Sequence, residues 1–124
     1  MNSIVCEGKE YINGSVEGVL CLDDSFALSK KRECEAIIPV IFNNHKINGE
    51  VVINCDGLII FEHCLNDNLK EILDKIKVPC VVVSNEDARV DMILKLCFND
   101  TCIKQGDMVL IDGGRILKAG EDNV

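Results

Sequence analysis

The chain of 124 residues has no tryptophan, one tyrosine and four phenylalanines, so aromatic stacking cannot build its interior. The core must come from Val, Ile and Leu, which suit strands buried on both faces. Proline is limited to Pro39 and Pro79, and histidine to His45 and His63. Scarce histidine removes most general acid–base and metal-ligand candidates at once. No apolar run approaches the roughly 18 residues of a membrane span. Met1 to Lys9 has neither the basic start nor the apolar stretch of a leader. Basic side chains are also few, 13 against 21 acidic, for a net charge of −8. Such a surface repels phosphate backbones and anionic bilayers, so nucleic acid and membrane are excluded as expected partners. The expected location is cytoplasmic.

Cysteine is what the chain has in excess, with eight residues. A reducing compartment argues against disulfides. The nearest pair, Cys97 and Cys102, lacks the close C-x-x-C spacing and second pair of a metal site. Cys21, Cys55, Cys80 and Cys97 sit beside apolar residues, where a thiol behaves as a small hydrophobe. The expectation is a set of reduced, buried thiols, with no metal and no cofactor.

The length suits a single domain over residues 1–124. Its first half reads as β-rich. Residues 3–6 and 18–22 are short β-type runs, Ala36 to Phe42 is a β-branched strand, and Val51-Val52-Ile53 is a further strand after the Asn48-Gly49 turn. Pro39 places its strand at an edge or a bulge. Asp23 to Glu35 is polar and reads as a loop with at most a turn of helix. Asn43 to Lys46 reads as a turn. Gly57 to Phe61 is a continuous apolar run, hence a strand covered on both faces. Leu69, Ile72, Leu73 and Ile76 then share one helical face over about 67–77, capped by Asn66 or Asp67. Val78 to Val83 completes a β-α-β unit with parallel strands. Ser84 or Asn85 caps a second helix, about Glu86 to Leu96, with Ala88 and Met92 inward. Met108–Ile111 and Arg115–Lys118 form a closing hairpin around Asp112-Gly113-Gly114. Residues 119–124 are expected to fray.

Three segments in this order resemble the swivelling β/β/α domain superfamily. They are the glycine-spaced opening Gly8…Gly14…Gly18, the Lys77-Val78-Pro79-Cys80-Val81-Val82 strand, and the Gly106-to-Gly113 strand and turn. In this order they look like the mobile domains of phosphoenolpyruvate-utilising enzymes. Gly14 to Leu20 also looks like the start of the small subunit of aconitase-X-type hydro-lyases. The resemblance covers nearly the whole chain and implies an α/β, three-layer swivelling fold. It does not carry the functional motifs. Where the phosphotransfer domains place their Thr-Ser-His triplet, counting back from Pro79 reaches Asn68, and Leu65-Asn66-Asp67-Asn68 holds no His, Thr or Ser. Phe61-Glu62-His63-Cys64-Leu65 likewise lacks the glycine- and serine-rich loop of the hydro-lyase subunit.

Ligands of open α/β sheets bind at the carboxyl ends of parallel strands, where helix starts present free N–H groups. That rule selects His63 and Asn66 from one loop and Ser84, Asn85 and Arg89 from the next as candidate ligand-binding residues, with no catalytic residue assigned. His63 suits acid–base work near neutral pH, and Arg89 suits a carboxylate or phosphate. The same residues also suit plain helix capping and surface hydrogen bonding. With the scaffold kept and the motifs missing, the expected role is a non-catalytic partner or accessory subunit of a larger metabolic enzyme. The alternatives are a small subunit that contributes an anionic-metabolite site to a hydro-lyase, and a small-ligand sensor. Whether the chain has enzyme activity stays open at this point.

Overall fold

The computed structural model describes residues 3–43, 48–99 and 101–119. Within them the chain is mixed α/β and strand-rich, with eleven strands and three α-helices. One sheet holds eight strands in the order β1 (Ser3–Glu7), β11 (Arg115–Lys118), β10 (Met108–Asp112), β3 (Ser15–Cys21), β4 (Ile37–Ile41), β5 (Leu58–Phe61), β6 (Cys80–Val83) and β2 (Lys9–Ile12). From β3 to β6 neighbours run parallel, and the other pairs are antiparallel. The two edge strands, β1 and β2, are separated in sequence by Gly8 alone. Consecutive Cα atoms lie about 3.8 Å apart, so the sheet curls until its edges meet. Gly8 is required at that corner, because a Cβ there would stand 2.6 Å from the Val82 carbonyl oxygen. Gly57 marks where the two halves of the curled sheet face each other. A Cβ on it would lie 3.3 Å from Ile111 Cδ1 in β10 and 3.5 Å from Ile38 Cγ1 in β4.

All five residues of β4 are buried. Pro39 therefore lies in a central strand, and the expectation of an edge strand is corrected. The ladder shows how proline is tolerated there. Ile37, Ile38 and Pro39 pair with β3, whereas pairing with β5 starts only at Val40. Before that point the Asp56 carboxylate, in place of β5, takes the Ile37 N–H. Its Oδ2 accepts the Ile37 N–H at 2.9 Å and the Lys31 ammonium at 2.8 Å, while the Asp56 N–H donates to the Ile37 carbonyl at 3.0 Å.

The helices follow from their ends. In α1 (Asp24–Arg32), Asp23 Oδ2 accepts the Phe26 N–H at 3.0 Å, and Lys30, Lys31 and Arg32 fill the last turn. Acid at the start and base at the end complement the helix dipole, so the segment expected as a loop is a helix. Lys30 also pairs with Glu33 and Glu35, each at 3.5 Å. Val51-Val52-Ile53, expected as a strand, belongs to α2 (Gly49–Asn54), started by Asn48 Oδ1 accepting the Glu50 N–H at 2.9 Å. Burial of Val51 and Val52 against the core outweighs their strand preference. The expected turn over Asn43 to Lys46 lies mostly outside the described residues. In α3 (Asp67–Ile76), Leu69 and Leu73 are buried, and Ile72 and Ile76 pack partly against the same core, as their spacing predicts. Lys77 ends it in the left-handed region at φ 55°.

The second expected helix does not exist. Residues 86–96 instead begin a three-stranded antiparallel meander of β7 (Ala88–Asp91), β8 (Lys95–Phe98) and β9 (Thr101–Lys104). A helical face fits these residues by spacing, but burial takes the strand: Leu96 and Phe98 in β8 and Ile103 in β9 are buried in the common core. The closing hairpin is β10 and β11, joined through Gly113 and Gly114 at φ 60° and 83°, the two left-handed positions of a tight hairpin turn. Ala119, expected to fray, is buried and donates its N–H to the Met108 carbonyl at 3.0 Å. The rest of that tail lies outside the described residues. Among the described residues no polar or charged side chain is buried, and no helix is long and apolar enough to cross a membrane.

Replacing Asp56 by Ala strands the Ile37 N–H inside the sheet and should lower stability by about 1–3 kcal/mol. Asp56→Asn, which keeps an acceptor, should recover most of it. Urea unfolding of the three proteins checks this, and an unchanged midpoint for Asp56→Ala would refute the role given to the carboxylate.

Candidate functional site

Two places at the carboxyl edge of the parallel strands hold polar groups. The first is the one selected from sequence. β5 ends in a short turn of 3-10 helix, Glu62–Cys64, which carries His63 outward. His63 meets Asn85 across the edge, with Nδ1 2.7 Å from Asn85 Oδ1. The same Oδ1 accepts the His63 backbone N–H at 3.5 Å, which settles which end of the amide faces the histidine. Facing an amide oxygen, which can only accept, Nδ1 is the donor of this pair. The Phe61 ring stands edge-on to the imidazole, with centroids 6.1 Å apart. Asn85 thus orients His63.

The other candidates are not gathered around this pair. Asn66 caps α3, its Oδ1 accepting the Leu69 N–H at 2.9 Å. Ser84 closes the turn after β6, with Oγ accepting the Glu86 N–H at 3.1 Å and its carbonyl accepting from Asp87 and Ala88. It caps no helix, so the second helix start expected to bind anions is absent. Arg89 lies in β7, largely exposed, with Nε 3.6 Å from Asp91 Oδ1. Asp91 is the charged partner its position offered.

The second place was missed. A pocket of about 240 Å³ opens at the carboxyl ends of β3 and β4, between the starts of α1 and α2. Leu22, Val40, Ile41, Phe42, Val51 and Val52 supply apolar wall, and Asp23, Asp24, Asn43 and Asn48 supply the polar lining. An apolar body with a few convergent polar groups is the usual form of a small-molecule site. The start of α1 contributes roughly half a positive charge, which two carboxylates outweigh, so the lining suits a neutral or cationic ligand. The signal existed in Asp23-Asp24 and Asn48, both helix-start residues. It went unread because neither α1 nor α2 had been recognised. Among the described residues no group of three side chains could hold a metal ion.

The cysteines divide in two. Cys21, Cys55, Cys64 and Cys80 are buried free thiols, and burial pushes Cys21, Cys55 and Cys80 each up to about 12. Cys97 and Cys102 are instead joined by a disulfide, which corrects the expectation of a fully reduced set. Their spacing in sequence reads as a cross-strand pair only once β8 and β9 are recognised as neighbours, with Phe98 opposite Thr101.

No known protein family matches the chain, and no curated protein matches it.

The buried thiols make stability pH-dependent in a definite direction. The folded state holds these protons up to about 12, against an ordinary value of 9.0. Their contribution is therefore complete below pH 9 and is lost as pH rises from 9 toward 12, by up to about 1.4 kcal/mol per pH unit for each thiol. Urea unfolding at pH 8, 9 and 10 should show a falling midpoint, with a shallower fall in Cys21→Ala.

Proposed function

We propose that this chain is a non-catalytic accessory domain that docks on a larger metabolic enzyme through the tip of its three-stranded meander. The observation that carries this reading is the turn between β7 and β8. Asp91 pairs with Lys95, so Met92, Ile93 and Leu94 form a three-residue loop. They are 100%, 69% and 39% exposed. The Leu94 N–H donates to the Asp91 carbonyl at 3.0 Å, and Leu94 is held in the left-handed region at φ 58°. That position of a hairpin loop ordinarily takes glycine, and a leucine there is less stable by roughly 1–2 kcal/mol. Polar turn residues would be better for the isolated fold at all three positions. A local rule broken without gain to the fold points to a partner. Covering a large apolar side chain returns about 1.5–3 kcal/mol.

Further support comes from the resemblance of the sequence to swivelling domains, which work beside larger catalytic units, and from the absence of their reactive motif. His63, oriented by Asn85, has no second acid, base or nucleophile among the candidate residues brought to it. A tagged copy expressed in the native host should retain a larger enzyme subunit at one to one. Met92→Asp/Ile93→Asp should lose it while keeping its stability within about 0.5 kcal/mol. Recovery of the wild-type chain alone, or equal capture by the variant, would overturn the reading.

The pocket beside α1 favours a second reading, a small-ligand sensor for an aliphatic ammonium compound. n-Butylammonium should perturb the amide resonances of Leu22, Phe42 and Val51 saturably, and butyrate should not. Asp23→Asn/Asp24→Asn, which keeps a helix-capping side chain, should weaken that binding about tenfold. Preference for butyrate would sink the reading.

A further inference from the structure

The disulfide lies on the meander, outside the closed eight-stranded sheet. Cys97 and Cys102 are directly opposed in the β8–β9 register, with Cα atoms 4.0 Å apart. Their surroundings differ: Cys97 is fully buried, whereas Cys102 is exposed. One sulfur is open to attack, and the other is shielded as the leaving atom.

The bond is also not what brings these strands together. Four residue pairs already match β8 to β9, and Leu96, Phe98 and Ile103 anchor both strands in the core. Both oxidation states have a place for the buried sulfur. Asp91 Oδ2 lies 3.7 Å from Cys97 Sγ, so a Cys97 thiol would find a carboxylate to accept its S–H, leaving no unsatisfied buried group. All other described cysteines are free thiols, so the pair is singled out by position.

We propose that Cys97–Cys102 is a thiol–disulfide exchange site, opened by a dithiol reductant at the exposed Cys102 sulfur. A thiolate of the dithiol attacks Cys102 Sγ and forms a mixed disulfide as the Cys97–Cys102 bond breaks. The electron pair leaves on Cys97 Sγ, which takes a proton from solvent and donates it in a hydrogen bond to Asp91. The second thiol of the reductant, after losing its proton, attacks its own sulfur in the mixed disulfide and releases Cys102 as a thiolate. Two electrons pass from the dithiol, which ends as a disulfide, to the protein, which ends as a dithiol. Asp91, whose environment changes with the redox state, is also the residue from which the Met92–Leu94 turn departs. The exchange itself does not depend on the docking reading, since it is measured on the chain alone.

The folded protein is treated with dithiothreitol at pH 8, quenched with iodoacetamide and mapped by mass spectrometry. Cys97 and Cys102 should become alkylated together within minutes, while Cys21, Cys55 and Cys80 stay unlabelled. Glutathione disulfide should modify Cys102 in Cys97→Ser at least about ten times faster than Cys97 in Cys102→Ser. A bond that opens only after unfolding would make it a structural staple and overturn the proposal. So would equal labelling of the two variants, or free thiols that glutathione disulfide does not rejoin.

Discussion

The structure depends on β4. This strand lies inside the curled sheet, parallel to both neighbours, pairing first with β3 and then with β5. Its side chains are buried throughout, so nothing in it can be solvated if the ladder fails. Yet it contains Pro39, which lacks the donor a central strand needs. The β4–β5 register begins only past the proline, at Val40, and the Asp56 carboxylate accepts the Ile37 N–H that lies before it, at 2.9 Å. Lys31 of α1 reaches the same oxygen at 2.8 Å. A single carboxylate thereby ties the start of β4, the approach to β5 and the last turn of α1 together.

With the parallel strands set, the carboxyl edge is where polar groups can collect. The pocket beside β3 and β4 and the His63–Asn85 pair beyond β5 and β6 both lie there. Gln105 links this edge to the meander. Its Oε1 accepts the Leu22 N–H at 2.8 Å, and its own N–H donates to the Leu94 carbonyl at 3.0 Å. The wall of the pocket and the apolar turn are thus two hydrogen bonds apart. The meander adds apolar core through Leu96, Phe98 and Ile103 while presenting Met92 and Cys102 outward.

Much of this was legible in the residues, and the failures have a common cause. β5, α3 and β6 could be read because each signal was local: an apolar run, a helical stripe with a capping Asn66, and a Pro79 stop. The β10–β11 hairpin could be read because Gly113 and Gly114 demand a tight turn. The errors came where two periods fit the same residues. Val51-Val52-Ile53 satisfies a strand by composition, but Asn48 starts a helix that buries two of the three. Ala88, Met92 and Leu96 fit a helical face, but Leu96 and Phe98 fit a strand equally well, and the core took the strand. Of the candidate site, the pairing of His63 with Asn85 was within reach as an edge position. The pocket was not, since it required α1 and α2.

Composition and local pattern by themselves determined that the core would be aliphatic, that the surface would be acidic, that a β-α-β unit would sit mid-chain, and that a glycine turn would close it. These depend on neighbours a few residues apart, so short-range chemistry suffices. Only the tertiary structure decided that Pro39 belongs to a central strand, that Asp56 accepts the Ile37 N–H, and that Cys97 faces Cys102. It alone decided, too, that Met92 stands in solvent instead of on an inward helix face. Each of these turns on which strand lies beside which, and strand neighbours are chosen by burial of the whole chain, not by the residues that flank them.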